Sequence, residues 1–176
     1  MKFERVALSG VYLVHLEPRA DERGMFARAF CAREFVAEGL ETTFVQANVS
    51  TNSRSGTVRG MHFQRNPGAE VKLVRSVKGA IYDVVVDMRE DSATYLHWFG
   101  AELSEHNGLA MYVPKGFAHG YQALTDGATV FYFVNAFYAP QLEDGVRFDD
   151  PKLAIRWPRA VSEVSAKDAT WPLLAR

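Results

Sequence analysis

The sequence predicts an all-β protein: a two-sheet jelly-roll barrel with a short helix or two and an irregular C-terminal tail. Three observations point there. Aromatic residues make up 12% of the chain, with 12 Phe and 7 Tyr, a composition that suits the pleated, half-buried surface of strands. Short apolar runs recur at spacings of about ten residues between turn signals, the pattern of a sandwich or barrel. Helical periodicity is nearly absent.

In chain order, strands are expected at 11–16, 26–30, 43–50, 57–64, 71–77, 80–87, 96–103, 110–113, 120–124 and 128–138. Pro18, Gly56, Pro67-Gly68, Lys78-Gly79, Asn107-Gly108, Pro114 with Gly116, and Asp126-Gly127 separate them. Lys78-Gly79 and Asp126-Gly127 read as tight hairpin turns. In 71–77, Val71, Leu73 and Val77 fall on one face and Lys72, Val74 and Ser76 on the other. Both faces of 81–86 are largely apolar, which predicts a central strand. The one helical pattern lies at 32–39, where Phe35 and Val36 sit among charged residues and Gly39 can end it. From 147 to 176 the chain is rich in Asp, Pro and Trp and alternates little. It is expected to wrap over the barrel, with a helical turn near 165–169. No linker or repeat divides the chain, so 1–176 reads as one domain with a sizeable core.

Charge excludes some partners. Lys and Arg number 20 and Asp and Glu 21, a formal net charge of −1. That is no footprint for nucleic acid or an anionic membrane. Apolar residues at 48% and charged residues at 23% exclude wholesale disorder. Cys31 is the single cysteine, which excludes an intramolecular disulfide and favours a reducing compartment. No apolar run approaches the ~18 residues of a membrane span, and no signal-peptide core follows Met1. The expectation is a soluble, cytoplasmic protein.

Six segments can carry chemistry. His62 stands in Arg59-Gly60-Met61-His62-Phe63-Gln64, an apolar strand. A buried imidazole needs partners, and it is the side chain closest to a neutral general base. Pro114-Lys115-Gly116-Phe117-Ala118-His119-Gly120 has the P-x-G-x-x-H spacing of the second motif of cupin jelly rolls. That turn delivers a histidine to the barrel mouth. Cupin metal sites pair it with H-x-H and a carboxylate, whereas this chain has His62-Phe63-Gln64. Two histidines fall short of a metal's three or four ligands, so no metal is expected.

Lys72 lies in the 71–77 strand. Either it is solvated on an outer face, or it faces the barrel interior and serves a charge. Tyr132, in 128–134, is either a packed aromatic with its hydroxyl bonded or a proton donor. Asp21-Glu22-Arg23-Gly24 and Arg59 offer guanidinium forks, which suit diphosphates. Asp168, in Ser165-Ala166-Lys167-Asp168, could cap a helix or orient a histidine.

Together these segments resemble the dTDP-4-dehydrorhamnose 3,5-epimerase family, nucleotide-sugar epimerases with a cupin-like jelly roll. The likeness covers nearly the whole chain. It includes D-E-R-G at 21–24, F-V-Q-A-N at 44–48, V-R-G-M-H-F-Q at 58–64, K-L-V-R at 72–75 and D-V-V-V-D-M-R at 83–89. P-K-G-F-A-H-G at 114–120, F-D-D-P at 148–151, I-R-W-P at 155–158 and S-A-K-D at 165–168 complete it.

The resemblance implies a cofactor-independent reaction on a nucleoside-diphosphate 4-keto-6-deoxyhexose, and a homodimer. It implies that His62 is the base, Asp168 its orienter, Tyr132 the acid on the opposite face, and that Lys72 sits near the enolate oxygen. It implies diphosphate contacts by Arg23 and Arg59, further substrate contacts by Gln46, Asn48 and His119, and a stacking role for Tyr138. Phe26 and Arg28 belong to the matched segment Asp21–Phe30, and Arg28 stands where the family carries a glutamate that helps hold thymine. Tyr132-Phe133 replaces the family's Y-K. Ideal alternation puts Arg59 and His62 on opposite faces. A distortion at Gly60, or a site shared between subunits, would bring both to one substrate. A metal-dependent cupin enzyme and a non-catalytic sugar-binding jelly roll are the rival readings. The tetrad of His62, Lys72, Tyr132 and Asp168 disfavours the second, because binding alone does not call for acid and base together.

Overall fold

The computed structural model describes residues 1–175. In chain order the strands are β1 (Lys2–Arg5), β2 (Tyr12–His15), β3 (Arg19–Asp21), β4 (Gly24–Phe26), β5 (Gln46–Asn52), β6 (Val58–Gln64), β7 (Lys72–Lys78), β8 (Ala80–Asp87), β9 (Trp98–Ser104), β10 (Ala110–Val113), β11 (Phe117–Ala123), β12 (Ala128–Val134) and β13 (Glu143–Gly145). Helix α1 is Ala32–Ala37 and α2 is Ala166–Ala169. Six strands form one sheet in the order β1-β2-β10-β7-β12-β5, and five form a second in the order β13-β6-β11-β8-β9. β3 and β4 make a separate hairpin. This is the expected jelly roll. No helix among the described residues is long and apolar enough to cross a membrane.

Three apolar layers follow from the alternation. Val74, Met111, Val113 and Val130 of the first sheet meet Ile81, Val85, Leu103 and Phe117 of the second in the barrel interior. The outer face of the first sheet, with Tyr12, Val14, Leu73 and Tyr112, is covered by Phe35 of α1 and by Phe30 and Phe44. The outer face of the second, with Met61, Val84, Val86 and Ala118, is covered by Val146, Leu153, Ile155 and Trp157 of the tail. The expected wrapping of the tail is thus what makes β8 apolar on both faces. β8 is an interior strand of its sheet, as expected, flanked by β11 and β9.

Several local expectations are corrected. Lys78-Gly79 and Asp126-Gly127 are not hairpin turns, because the strands they join belong to different sheets. They are corners, with backbone N–H groups satisfied from other segments. Gly79 N donates to Glu105 Oε1 at 2.8 Å and Ala80 N to Thr125 Oγ1 at 3.0 Å, and Gly127 N donates to Asn52 O at 2.8 Å. The strand expected at 26–30 ends at Phe26, since Phe30 turns in to pack against Phe35 and Phe44. The strand expected at 128–138 stops at Val134. There the Asn135 side chain accepts from Val71 N at 2.7 Å, replacing the next ladder bond. The sequence reading missed β1, β3 and β13, which are only three or four residues long.

Candidate active site

A cavity of about 880 Å³ opens between the two sheets, within the size range of small-molecule sites. The first sheet contributes Gln46, Asn48 and Ser50 from β5, Lys72 from β7, and Tyr132 and Val134 from β12. Arg59, His62 and Gln64 of β6 and His119 and Tyr121 of β11 form the facing wall, and Glu163 to Asp168 of the tail close one side. Period-two alternation puts every second residue of β5 and β12 into this space.

β6 departs from that alternation. His62 pairs with His119 and Arg59 with Tyr121, so Gly60 and Met61 together oppose Gly120 alone. This β-bulge flips the parity of the strand and brings both Arg59 and His62 to the cavity. Only glycine fits at its first position. Gly60 has φ +122, and a Cβ there would lie 2.5 Å from the Gly120 Cα. The distortion at Gly60 is therefore present within one chain.

His62 Nε2 lies 2.6 Å from Asp168 Oδ1. Asp168 sits in α2, where its backbone N–H is capped by Ser165 Oγ at 3.0 Å. Its second oxygen accepts from Gly60 N at 3.1 Å. Burial pushes the Asp168 carboxyl up, but the hydrogen bond and charge of His62, with Gly60 and Ser165, outweigh it and hold the carboxyl below the usual aspartate value. Trp171 stands edge-on behind the imidazole, with ring centroids 6.4 Å apart. Tyr132 faces the same cavity from the opposite sheet. Burial, with smaller contributions from Tyr121 and Glu70, raises its phenol above the ordinary tyrosine value, so it stays protonated at neutral pH. Lys72 is buried and pairs with Glu70 at 2.8 Å. The interior alternative thus holds for this lysine.

Other sequence-derived residues are fixed nearby. Arg59 Nε donates to Asn52 Oδ1 at 2.8 Å. Gln46 Oε1 accepts from Tyr138 N at 2.9 Å, and Tyr138 donates its hydroxyl proton to Glu143 at 2.8 Å. His119 Nε2 lies 2.8 Å from Asp83 Oδ1. Gln64 is tied to the loops around it, donating to Gly68 O and accepting from Ala139 N at 2.6 Å. Three expected residues stand apart. Arg23 is 86% exposed and pairs with Asp21, Phe26 is 72% exposed, and Arg28 pairs with Glu34 at 3.1 Å. All three lie on or beside the β3–β4 hairpin, outside the cavity lining of their own chain. Glu143, Lys167, Tyr121 and Asp83 were not singled out from the sequence. For Asp83 a signal existed: a carboxylate inside the apolar run Ile81–Val86.

A jelly roll that sets a carboxylate-backed imidazole against a protonated phenol across one cavity has the machinery of an isomerase that inverts a carbon centre. Comparison with known proteins narrows the class. Residues 5–176 match the family model described as dTDP-4-dehydrorhamnose 3,5-epimerase. The dTDP-4-dehydrorhamnose 3,5-epimerase of Sinorhizobium fredii is 40% identical over 99% of this chain and 90% of its own. The dTDP-4-dehydrorhamnose 3-epimerase of Streptomyces niveus is 39% identical over 99% of this chain and 84% of its own. The Bacillus anthracis dTDP-4-dehydrorhamnose 3,5-epimerase, crystallised with TDP and pyrophosphate bound, superposes with a TM-score of 0.94 at 40% identity, over 98% of this chain and 99% of its own. The chain belongs to the dTDP-4-dehydrorhamnose 3,5-epimerase family and is a nucleotide-sugar epimerase.

Proposed function

We propose that the protein converts dTDP-4-dehydro-6-deoxyglucose to dTDP-4-dehydrorhamnose by inverting C3 and C5. His62 takes the proton from the carbon next to the C4 ketone. The electron pair of that C–H bond moves into the ring, and the ketone oxygen becomes an enolate. Lys72 stabilises this oxygen, the electrostatic help such a step needs. Tyr132 then gives its proton to the opposite face of the same carbon. The tyrosinate recovers a proton from solvent and the imidazolium loses one to it, so the cycle closes without cofactor. Asp168 keeps the His62 ring oriented and balances its charge after proton uptake.

The observation that carries this reading is the placement of the His62–Asp168 pair and Tyr132 on opposite sheets around one cavity. An acid and a base on one wall could only restore the starting configuration. Gln46 and Asn48 on the Tyr132 wall, and Arg59 and His119 on the His62 wall, line the cavity as substrate contacts, with Tyr138 at the mouth. The 3-epimerase relative supports one alternative, inversion at C3 alone. Proton NMR in deuterated water separates the two: label at both C3 and C5 is expected, and label at C3 only would establish the alternative. His62→Ala is expected to abolish exchange at both carbons and Asp168→Ala to reduce it. Near-normal exchange in the His62 variant would overturn the assignment.

The same reading includes a homodimer. Met25 and Phe26 project from the β3–β4 hairpin, Val45 and Val49 are exposed on and beside the edge strand β5, and Val77 is exposed at the end of β7. A second copy would cover these groups and remove the free edge of β5. Arg23, Phe26 and Arg28 would then serve the neighbour's cavity, not their own.

A further inference from the structure

The cavity wall carries a second histidine–carboxylate pair. His119 and His62 are direct partners across β11 and β6, so two imidazoles leave adjacent positions on one sheet. Each has its Nε2 against an aspartate, Asp168 at 2.6 Å and Asp83 at 2.8 Å. The pairs differ in how the carboxylate is satisfied. Asp168 has both oxygens engaged, by His62 and by the Gly60 N–H. Asp83 is wholly buried, and its Oδ2 has no hydrogen-bond partner among the described residues. A buried carboxylate left with one bond holds that bond tightly, because losing it strips the group of all compensation. An ionised carboxylate can only accept, so this bond calls for the proton on His119 Nε2. The bond commits the ring. Nε2 is occupied by Asp83, and Nδ1 makes no hydrogen bond among the described residues. The His119 side chain is also the more enclosed, 10% exposed against 32% for His62.

We propose that Asp83 is a positioning residue: it locks His119 in the Nε2–H tautomer and presents Nδ1 to a hydroxyl of the bound hexose, so His119 orients the sugar and is not a second base. The inference rests on the cavity being the substrate site, as proposed above. It is tested on the intact protein labelled with ¹⁵N-histidine, the His119 signals being assigned by their loss in His119→Gln. Nε2 is expected to carry the proton; a proton on Nδ1 with a bare Nε2 would overturn the proposal.

The second arm measures deuterium exchange into dTDP-4-dehydro-6-deoxyglucose. Asp83→Ala and His119→Gln are each expected to raise KM about tenfold with kcat within about twofold. Asp83→Asn, which retains an acceptor oxygen, recovers part of the loss. The double variant Asp83→Ala/His119→Gln behaves as His119→Gln alone, since one residue acts through the other. Additive losses, or a fall in kcat matching that of the His62 variant, would refute the positioning role. If the wild-type protein exchanged no sugar proton, the substrate reading would fail while the tautomer measurement still decided the Asp83 contact.

Discussion

Asp168 reaches His62 from a distant part of the chain, because the tail that covers the outer face of the second sheet also closes the cavity. The pair was legible in the sequence only through the resemblance of S-A-K-D to a known motif. Periodicity alone could not connect residues 106 positions apart. The same limit hid Glu143 and Lys167, which pair with each other at the mouth. Lys72 was ambiguous, since alternation gives a face but not which face is inside. Its burial beside Glu70 resolves the choice and defines an expectation. Lys72→Met should lower kcat about 100-fold, the order of losing one oxyanion donor at ~3 kcal/mol, with folding verified by melting temperature. A kcat within threefold of wild type would remove Lys72 from the enolate.

At the level of elements, the bulge in β6 is the device that puts Arg59 and His62 on one wall. Gly60→Ala should destabilise the fold by about 2 kcal/mol or more, because the position combines positive φ with backbone contact. It should also cut exchange activity in the fraction that folds. An urea midpoint equal to wild type would show that the bulge tolerates a side chain.

The β8–β9 connection supplies another test. Asp87 is wholly buried and accepts from Arg89 Nε at 2.8 Å, Arg89 Nη2 at 2.7 Å, Ser92 at 2.6 Å and Thr94 at 2.7 Å. Burial pushes this carboxyl up, but the hydrogen bonds from Arg89, Ser92 and Thr94 outweigh it and hold it far below the usual range. A depressed folded-state value contributes stability that is complete above the ordinary aspartate pKa of about 3.9 and is lost as pH falls below it. Asp87→Asn should therefore cost about 3 kcal/mol at pH 7 and flatten the acid limb of the stability curve. An unchanged acid limb would show that Asp87 is not the group responsible. Strand existence was readable from the sequence because the apolar runs are strong. Pairing was not, since glycine turns serve corners and hairpins alike. The Lys78-Gly79 and Asp126-Gly127 corners illustrate this.

For the whole molecule, the jelly roll and the cavity between its sheets account for one chain's contribution to the site, and the proposed homodimer would give the exposed hairpin residues a role. Sedimentation should give twice the 19.7 kDa chain mass at micromolar concentration. A Phe26→Asp variant should shift the distribution toward monomer and raise KM, because in the proposed dimer the hairpin completes the neighbour's cavity. A monomeric wild type would return Arg23, Phe26 and Arg28 to the role of surface residues.

The central claim is that base and acid act from opposite walls. Tyr132→Phe in deuterated water tests it most directly, because the substitution keeps the ring and removes only the hydroxyl. Exchange and epimer yield are read by NMR on the same sample of dTDP-4-dehydro-6-deoxyglucose. The variant should still wash solvent deuterium into the sugar through His62, yet form little epimer. Epimer formed at the wild-type rate would contradict the account, since some other group would then be delivering the proton to the second face.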